Sequence, residues 1–347
     1  MPAAGGGHLM SARKPRVTVL GGGTWGTTVA SIAARRTDTL LWARDPRIAE
    51  AINRTQQNPR YLAGFDLTPG LRATADLVGA VERADVLIAG VPAQYLRAVL
   101  ERAVDHVRPF IPIVSLVKGL EQGSRKRMTE VIGEVLPGHP AGVLSGPNIA
   151  REVVQGFAAA ATLAMPDHHS AQMLQGVVNT SRYRVYTSED VVGVEIAGAL
   201  KNVFALAVGF GDGLGAGDNT RAMVITRSLH ELTRLGVALG GRAETFAGLA
   251  GLGDLLVTCI SPHSRNRYVG LELGRGRPLE EILASMNQIA EGVRTTAAVM
   301  KLAAGRGIDM PIAREVDAVL NHRQPVEKTY RGLLRATPGH EVYGEGW

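Results

Sequence analysis

The stretch Val17-Thr18-Val19-Leu20-Gly21-Gly22-Gly23-Thr24-Trp25-Gly26 decides the fold. An apolar, β-branched run feeds straight into Gly-x-Gly-x-x-Gly, and residues 27–36 continue with a helical pattern. In such a strand–loop–helix unit each glycine has a physical task. Gly21 makes the tight turn, Gly23 lets backbone approach a pyrophosphate, and Gly26 lets the helix pack closely on the strand. The start of the helix then offers unpaired N–H groups and a dipole that favours an anion. A Gly-rich loop alone can be a plain turn; the strand before it and the helix after it point to a dinucleotide.

Outward from that unit, short apolar runs alternate with helical patterns. Strands are expected at 16–20, 39–43, 86–90, 111–116, 141–144, 159–164 and 183–186, and helices at 27–36, 46–53, 93–106, 127–136 and 168–178. This alternation predicts a mainly parallel α/β sheet. Several strands end in polar or Gly/Pro-rich turns: Arg44-Asp45, Val91-Pro92, Lys118-Gly119 and Ser145-Gly146-Pro147-Asn148. Ligands of open α/β sheets bind outside the carboxyl ends of the strands, so these turns should meet cofactor and substrate.

After Ser188 the texture changes. Val191, Val194, Ile196, Ala197, Leu200, Val203, Phe204 and Ala207 read as one long, nearly all-apolar helix suited to a domain core. Helical patterns follow at 220–239, 279–283, 295–304 and 315–321, and strand signals almost vanish. The expected division is a flexible tail over 1–14, a dinucleotide-binding domain over 15–188 and an all-helical substrate and catalytic domain over 189–347. The Gly-rich run 211–219 is either a solvent loop between two helices or part of a binding wall.

A chain of 347 residues suits two domains, because single cores rarely grow past roughly 250–300 residues. The net charge of +6 is carried mainly by arginine. Without a Lys/Arg block interleaved with aromatics no nucleic-acid partner is expected, and an anionic cofactor and a small anionic substrate account for the charge. The single cysteine, Cys259, excludes an internal disulfide and a Cys-rich metal site and fits a reducing cytoplasm. The tail lacks the apolar core of a signal peptide. No apolar stretch reads as reaching the roughly 20 residues that span a bilayer, so membrane insertion is not expected. His168 and His169 are adjacent rather than a helical turn apart, and no metal site is expected.

The end of the second strand bears on the cofactor. Arg44 holds the first exposed position and suits a 2′-phosphate, whereas Asp45 could accept ribose hydroxyls. NADP(H) is favoured, with NAD(H) as the alternative; the plain reading of Arg44 is a solvated surface charge.

Lysines are scarce, and two stand in unusual contexts: Val117-Lys118-Gly119-Leu120 and Ala199-Leu200-Lys201-Asn202-Val203. Lys201 interrupts an apolar helix, so it either snorkels to water or is buried with a partner and a lowered pKa, as a general acid needs. Asp254, in Gly251-Leu252-Gly253-Asp254-Leu255-Leu256, is a candidate partner. Ser264-Arg265-Asn266-Arg267 suits a phosphate, since Arg offers a fork of donors, or is a solvated basic loop. Glu291 could bond a nicotinamide amide or cap a helix. Cys259 reads as a small packed side chain.

Together GGGTWG, VKGLE, SGPNIA, ALKNV, GLGDLLVTC, SRNR and AEGVRT resemble the sn-glycerol-3-phosphate dehydrogenase family, and its bacterial soluble NAD(P)-dependent branch most closely. The resemblance runs from about Arg16 to Leu320. It implies a Rossmann-type doubly wound sheet followed by an all-helical domain. It also implies reversible reduction of dihydroxyacetone phosphate to sn-glycerol 3-phosphate, supplying phospholipid synthesis. By resemblance Lys201 is the proton donor and acceptor, with Asp254 beside it. Lys118, Gly146, Asn148, Asn202, Thr258, Ser264, Arg265 and Asn266 match substrate positions. Gly21, Gly23, Thr24, Trp25, Gly26, Arg44, Lys118, Ala150, Arg265, Ile289 and Glu291 match cofactor positions. A homodimer through the helical domain is plausible for this family. Asn148 stands where many relatives have Ser or Thr, and the tail has no counterpart. β-Hydroxyacid and 6-phosphogluconate dehydrogenases share the two-domain plan, and a non-catalytic NADP(H) sensor is the reading from another class; SRNR and GLGDL argue against the former, Lys201 with Asp254 against the latter.

Overall fold

The computed structural model describes residues 13–286 and 290–328. Residues 1–12 of the expected tail, and Ile289 of the expected cofactor site, lie outside the described residues.

The strands are β1 (Arg16–Leu20), β2 (Asp38–Trp42), β3 (Gln57–Asn58), β4 (Leu62–Asp66), β5 (Arg72–Thr74), β6 (Val86–Ala89), β7 (Ile113–Ser115), β8 (Ala141–Ser145), β9 (Ala159–Ala164) and β10 (Tyr183–Ser188). Eight of them form one sheet in the order β10-β9-β8-β7-β6-β1-β2-β5, and β3 and β4 make a separate antiparallel pair. Within the large sheet every pairing is parallel except that of β8 with β9. The central strands β6 and β7 are buried throughout, as strands covered on both faces should be. The mainly parallel α/β class expected from the sequence is the class observed.

Two features of the sheet were not expected. β5 is too short to show alternation, and β2 holds it at the edge through Leu40–Trp42. The reversal at β9 leaves no trace in composition, since an apolar strand reads alike in either direction.

The helices over the sheet are α1 (Thr24–Ala33), α2 (Pro46–Thr55), α3 (Leu77–Glu82), α4 (Ala93–Glu101), α5 (Met128–Val135), α6 (Ala150–Val154) and α7 (His168–Val178). The helix expected over 93–106 is split: α4 ends at Glu101 and a 3-10 turn covers Val104–His106. The helical half comprises α8 (Val191–Gly213), α9 (Asp218–Ala238), α10 (Ala243–Phe246), α11 (Asp254–Ile260), α12 (Arg265–Gly274), α13 (Leu279–Ala284), α14 (Glu291–Ala304) and α15 (Pro311–His322), with a π-helical turn at Leu249–Gly253.

α8 is the axis of this half. It is buried from Gly193 to Gly211, which explains why it is apolar all round. Contrary to the sequence reading, two segments among the described residues are long and apolar enough to cross a bilayer by length and composition, α8 and the broken run Ala243–Ile260. In α8 89% of that window is buried inside the protein, so its hydropathy serves the core. The Gly-rich run also has an unforeseen role, because Gly211–Gly213 close α8 instead of separating helices. A Cβ on Gly209 would lie 2.8 Å from the Gly270 Cα, and one on Gly213 would lie 2.7 Å from the Gly274 Cα. Small residues four apart on both helices let α8 and α12 meet backbone to backbone.

Candidate active site

β1 delivers the chain into the Gly-rich loop. Gly21 has φ +122°, and a Cβ there would sit 2.7 Å from the Gly90 carbonyl oxygen. A Cβ on Gly26 would fall 2.1 Å from the Gly21 oxygen, whereas one on Gly23 would meet nothing within 4 Å. The outer glycines are thus required by packing, and Gly23 leaves the approach to α1 open. α1 starts at Thr24 with no side-chain cap and no acid in its first turn, so its N–H groups face the opening uncompensated. Asn58, which sequence reasoning missed, is fully buried and braces the loop, donating to the Gly22 oxygen and the Thr27 hydroxyl at 2.9 Å each. Thr24 donates to the Tyr61 carbonyl at 3.3 Å. The Trp25 ring packs edge-on against Tyr183, its indole N–H buried with no partner among the described residues.

At the end of β2 Arg44 is exposed. Asp45 caps α2 by accepting from the Arg47 amide, and its carboxylate pairs with Arg47 at 2.8 Å and Arg60 at 3.6 Å. Those cations hold the Asp45 carboxyl below the usual carboxylate range. The acid that would serve an NAD ribose is therefore already engaged.

The loops after β7 and β8 meet the helical half around one carboxylate. Asp254, fully buried at the start of α11, accepts from Lys201 Nζ on Oδ1 at 2.5 Å and from Lys118 Nζ on Oδ2 at 2.7 Å. Lys201 also donates to the Thr258 hydroxyl at 2.6 Å, and Lys118 to the Gly146 carbonyl at 2.9 Å. Burial lowers the Lys201 pKa to about 7; the Lys118 ammonium pushes the same way and Asp254 opposes both. Lys201 is thus a buried, paired amine and not a snorkelling one. The π-helical turn before Asp254 is the structural form of the Gly-hinged GLGDL run, and Pro147 packs against it at Gly253.

A second tier of amides carries this centre to α14. Asn202 donates to the Lys118 carbonyl at 3.1 Å, Asn266 to Asn202 Oδ1 at 2.9 Å, and the Gly292 amide to Asn266 Oδ1 at 2.9 Å. Glu291 opens α14 with its carboxylate against Gly119, where a Cβ would be 3.2 Å from Oε2; burial pushes its carboxyl pKa up, and Arg265 and Arg294 oppose the shift. In the SRNR segment Ser264 caps α12, Arg265 is exposed at its first turn, and Arg267 turns away to Asp212 at 2.7 Å. Only one of the two arginines expected at the site faces the opening. Ala150 opens α6 beyond the Gly146-Pro147-Asn148 turn. Cys259 is a packed side chain, with burial pushing its thiol up to about 12.

A mainly parallel sheet with a Gly-rich crevice, completed by a buried Lys–Asp centre from a helical half, defines the two-part nicotinamide-dependent dehydrogenases as a class. Within it, residues 16–171 match the NAD-dependent glycerol-3-phosphate dehydrogenase N-terminus and residues 190–331 match the C-terminus of the same family. The chain belongs to the NAD-dependent glycerol-3-phosphate dehydrogenase family. It is 60% identical over 337 residues to the Mycobacterium avium glycerol-3-phosphate dehydrogenase (NAD(P)+), covering 96% of this chain and 98% of that one. It is 46% identical over 333 residues to the Thermobifida fusca counterpart, covering 95% and 99%. The crystal structure of the Coxiella burnetii glycerol-3-phosphate dehydrogenase superposes with a TM-score of 0.88 at 35% identity, covering 93% of this chain and 99% of that one.

Proposed function

We propose that this chain interconverts dihydroxyacetone phosphate and sn-glycerol 3-phosphate with a nicotinamide dinucleotide, NADP(H) in preference to NAD(H). The observation that carries the reading is the donor count at Lys201. An ammonium has three protons, and Asp254 and Thr258 take two of them. The third is left for the oxygen of a carbonyl being reduced.

The residues of the first half suit the cofactor. Gly21, Gly23 and Gly26 with Thr24 and Trp25 form a cradle that side chains would fill, and the start of α1 supplies N–H groups for its pyrophosphate. Lys118, Ala150, Arg265 and Glu291 would hold its nicotinamide end toward the helical half, and the resemblance adds Ile289. Bound there, the dinucleotide supplies or accepts the hydride. Arg44 would meet a 2′-phosphate, helped by Arg47 and Arg60, whose existing anion Asp45 marks the spot as one that cations converge on.

The chain's own part in the reaction is proton handling and alignment. Lys201 protonates the developing alkoxide, and its lowered pKa stabilises the amine that remains; positioned proton transfer of this kind contributes about 10²–10⁴-fold. Asp254 orients both ammonium groups and offsets their burial. Lys118, Gly146, Asn148, Asn202, Thr258 and Asn266 surround the reacting carbon, while Ser264 and Arg265 hold the phosphate. Binding energy from that remote group aligns the ketone. The sheet half over 15–188 serves as the cofactor domain and the helical half as the catalytic one. A cytoplasmic place and a homodimer through the helical half belong to the same reading.

The test is absorbance at 340 nm during dihydroxyacetone phosphate reduction, run in parallel with NADPH and NADH. Oxidation of both with NADPH preferred supports the proposal. Tight cofactor binding without oxidation would reject it.

A further inference from the structure

Glu195 is a buried carboxylate on α8 that the proton chemistry does not use. Thr129 donates to it twice, through its amide to Oε1 at 2.9 Å and through its hydroxyl to Oε2 at 2.5 Å. Arg127 Nη1 donates to the same Oε2 at 2.9 Å. Burial pushes the Glu195 carboxyl pKa up, and Arg127 and Thr129 oppose the shift. A buried ion pair often returns less stability than apolar packing would, so its place in the fold is the better guide to its role.

Arg127 and Thr129 stand where the loop after β7 enters α5, and that loop, residues 116–127, carries Lys118. Its near end is also held by α8, through the bond from Asn202 to the Lys118 carbonyl at 3.1 Å. Glu195 and Asn202 are seven positions apart in α8, within about 20° of one face and about 10 Å along the axis. Gly198 lies between them on that face, where a Cβ would be 2.6 Å from Ser145 Oγ and 3.6 Å from Lys118 Cγ. Leu120 packs into the core around α8. α4 holds the middle of the loop, with Gln94 donating to the Leu120 carbonyl at 2.9 Å and Arg97 paired with Glu121 at 2.8 Å. The entry to α5 is left to Glu195. α8 thus grips the loop at both ends and leaves room between them for the Lys118 stem, and Lys201 is part of the same helix.

We propose that Glu195 is a positioning residue: by holding Arg127 and Thr129 it pins the far end of the Lys118 loop to the helix that bears Lys201, and so keeps the Lys118 ammonium on Asp254. The separation of the two ammonium groups is then set by one rigid helix and not by a free loop. Releasing the far end lets Lys118 draw away from Asp254, which weakens its hold on the substrate and removes a like charge from beside Lys201. This role rests on the dehydrogenase reading above.

Glu195→Gln tests it. The amide keeps an oxygen for the Thr129 N–H, but its NH₂ must face Arg127, which has no acceptor. KM for dihydroxyacetone phosphate should rise about three- to ten-fold, a fraction of what one charge-assisted bond is worth. Turnover on the acid side of the profile stays near wild type, because Lys201, Asp254 and Thr258 keep their contacts. The midpoint of the reduction profile should move up by about half a unit, since Lys118 is the like charge beside Lys201 and its other charged or titratable neighbours, Asp254 and Cys259, stay in place. A general loosening of the fold would not raise that midpoint. Arg127→Met cuts the same contact from the loop side and leaves Glu195 its Thr129 bonds; the double variant should be no worse than either single one. An unchanged KM, an unchanged or lowered midpoint, or additive effects would overturn the role. So would failure of both single variants to fold, which would make the contact structural. A wild-type enzyme that does not reduce dihydroxyacetone phosphate would instead reject the reaction itself.

Discussion

Lys118 and Asp254, 136 positions apart in the chain, are joined by a 2.7 Å ion pair that runs from the sheet to the helical half. Asp254 uses its second oxygen for Lys201, so one carboxylate fixes two ammonium groups and ties the sheet half to the helical half.

In the proposed reaction Lys201 acts as the ammonium during reduction. Dihydroxyacetone phosphate reduction should fall as pH rises through about 7, and the reverse reaction, which needs the amine, should gain over the same interval. Rate profiles measured in both directions check this; changes of the same sign in both would count against Lys201. Lys201→Ala should keep cofactor affinity and lose at least about 10²-fold in turnover.

Asp254→Asn leaves the buried Lys201 ammonium and the half-buried Lys118 ammonium facing each other without their anion. A loss of roughly 3–5 kcal/mol in unfolding free energy is expected, as for other broken buried pairs. The midpoint of the reduction profile should also move to lower pH, since Asp254 is what raises the Lys201 pKa. Denaturant unfolding and the pH profile read the two effects separately.

Arg265→Ala should raise KM for dihydroxyacetone phosphate by about 10–10²-fold, because a charged donor to phosphate is lost. An unchanged KM would remove Arg265 from the phosphate site.

Arg44→Ala should lower kcat/KM with NADPH by about ten-fold and leave NADH nearly unaffected, since only NADPH carries the 2′-phosphate. Equal losses with both cofactors would make Arg44 a general contributor and not a discriminator.

The buried Glu231 carboxylate accepts from the Ile312 amide at 2.7 Å and the Ala313 amide at 3.2 Å, in the first turn of α15. Desolvation raises its pKa from 4.5 to about 7 despite these bonds. The folded state then binds the extra proton between those values, so its stability contribution is present below pH 4.5 and lost as pH rises through 7. The amount is on the order of 3 kcal/mol. Glu231→Gln should flatten that part of a thermal-midpoint profile; an unaltered slope would show that other groups set it.

The glycines of the first loop, the α/β alternation and the odd lysine in an apolar helix could all be read locally, because each depends on neighbours in sequence. The pairing of Asp254 with Lys201 was legible for a related reason: a lone carboxylate and a lone amine in apolar runs each need the other. Asn58 was not legible, since its task is to brace a loop more than thirty positions away. Nor was the fate of Arg267, whose partner Asp212 sits in a run that resembles a loop and proves to be the end of α8. Strand direction at β9 escaped as well, because side-chain alternation does not encode it.

The same reversal makes α8 a ruler. β10 ends at Ser188, which pairs with Ala164 at the end of the sheet remote from the ligand turns. The chain must therefore climb back, and α8 does so over the ten residue steps from Val191 to Lys201, a rise of about 15 Å. Deleting one residue from that interval would draw the amine back by about 1.5 Å and swing it by about 100°, away from Asp254. Substitutions along the interval change packing by degrees, whereas a change of length there relocates the proton, so this span should drift in composition far more freely than in count.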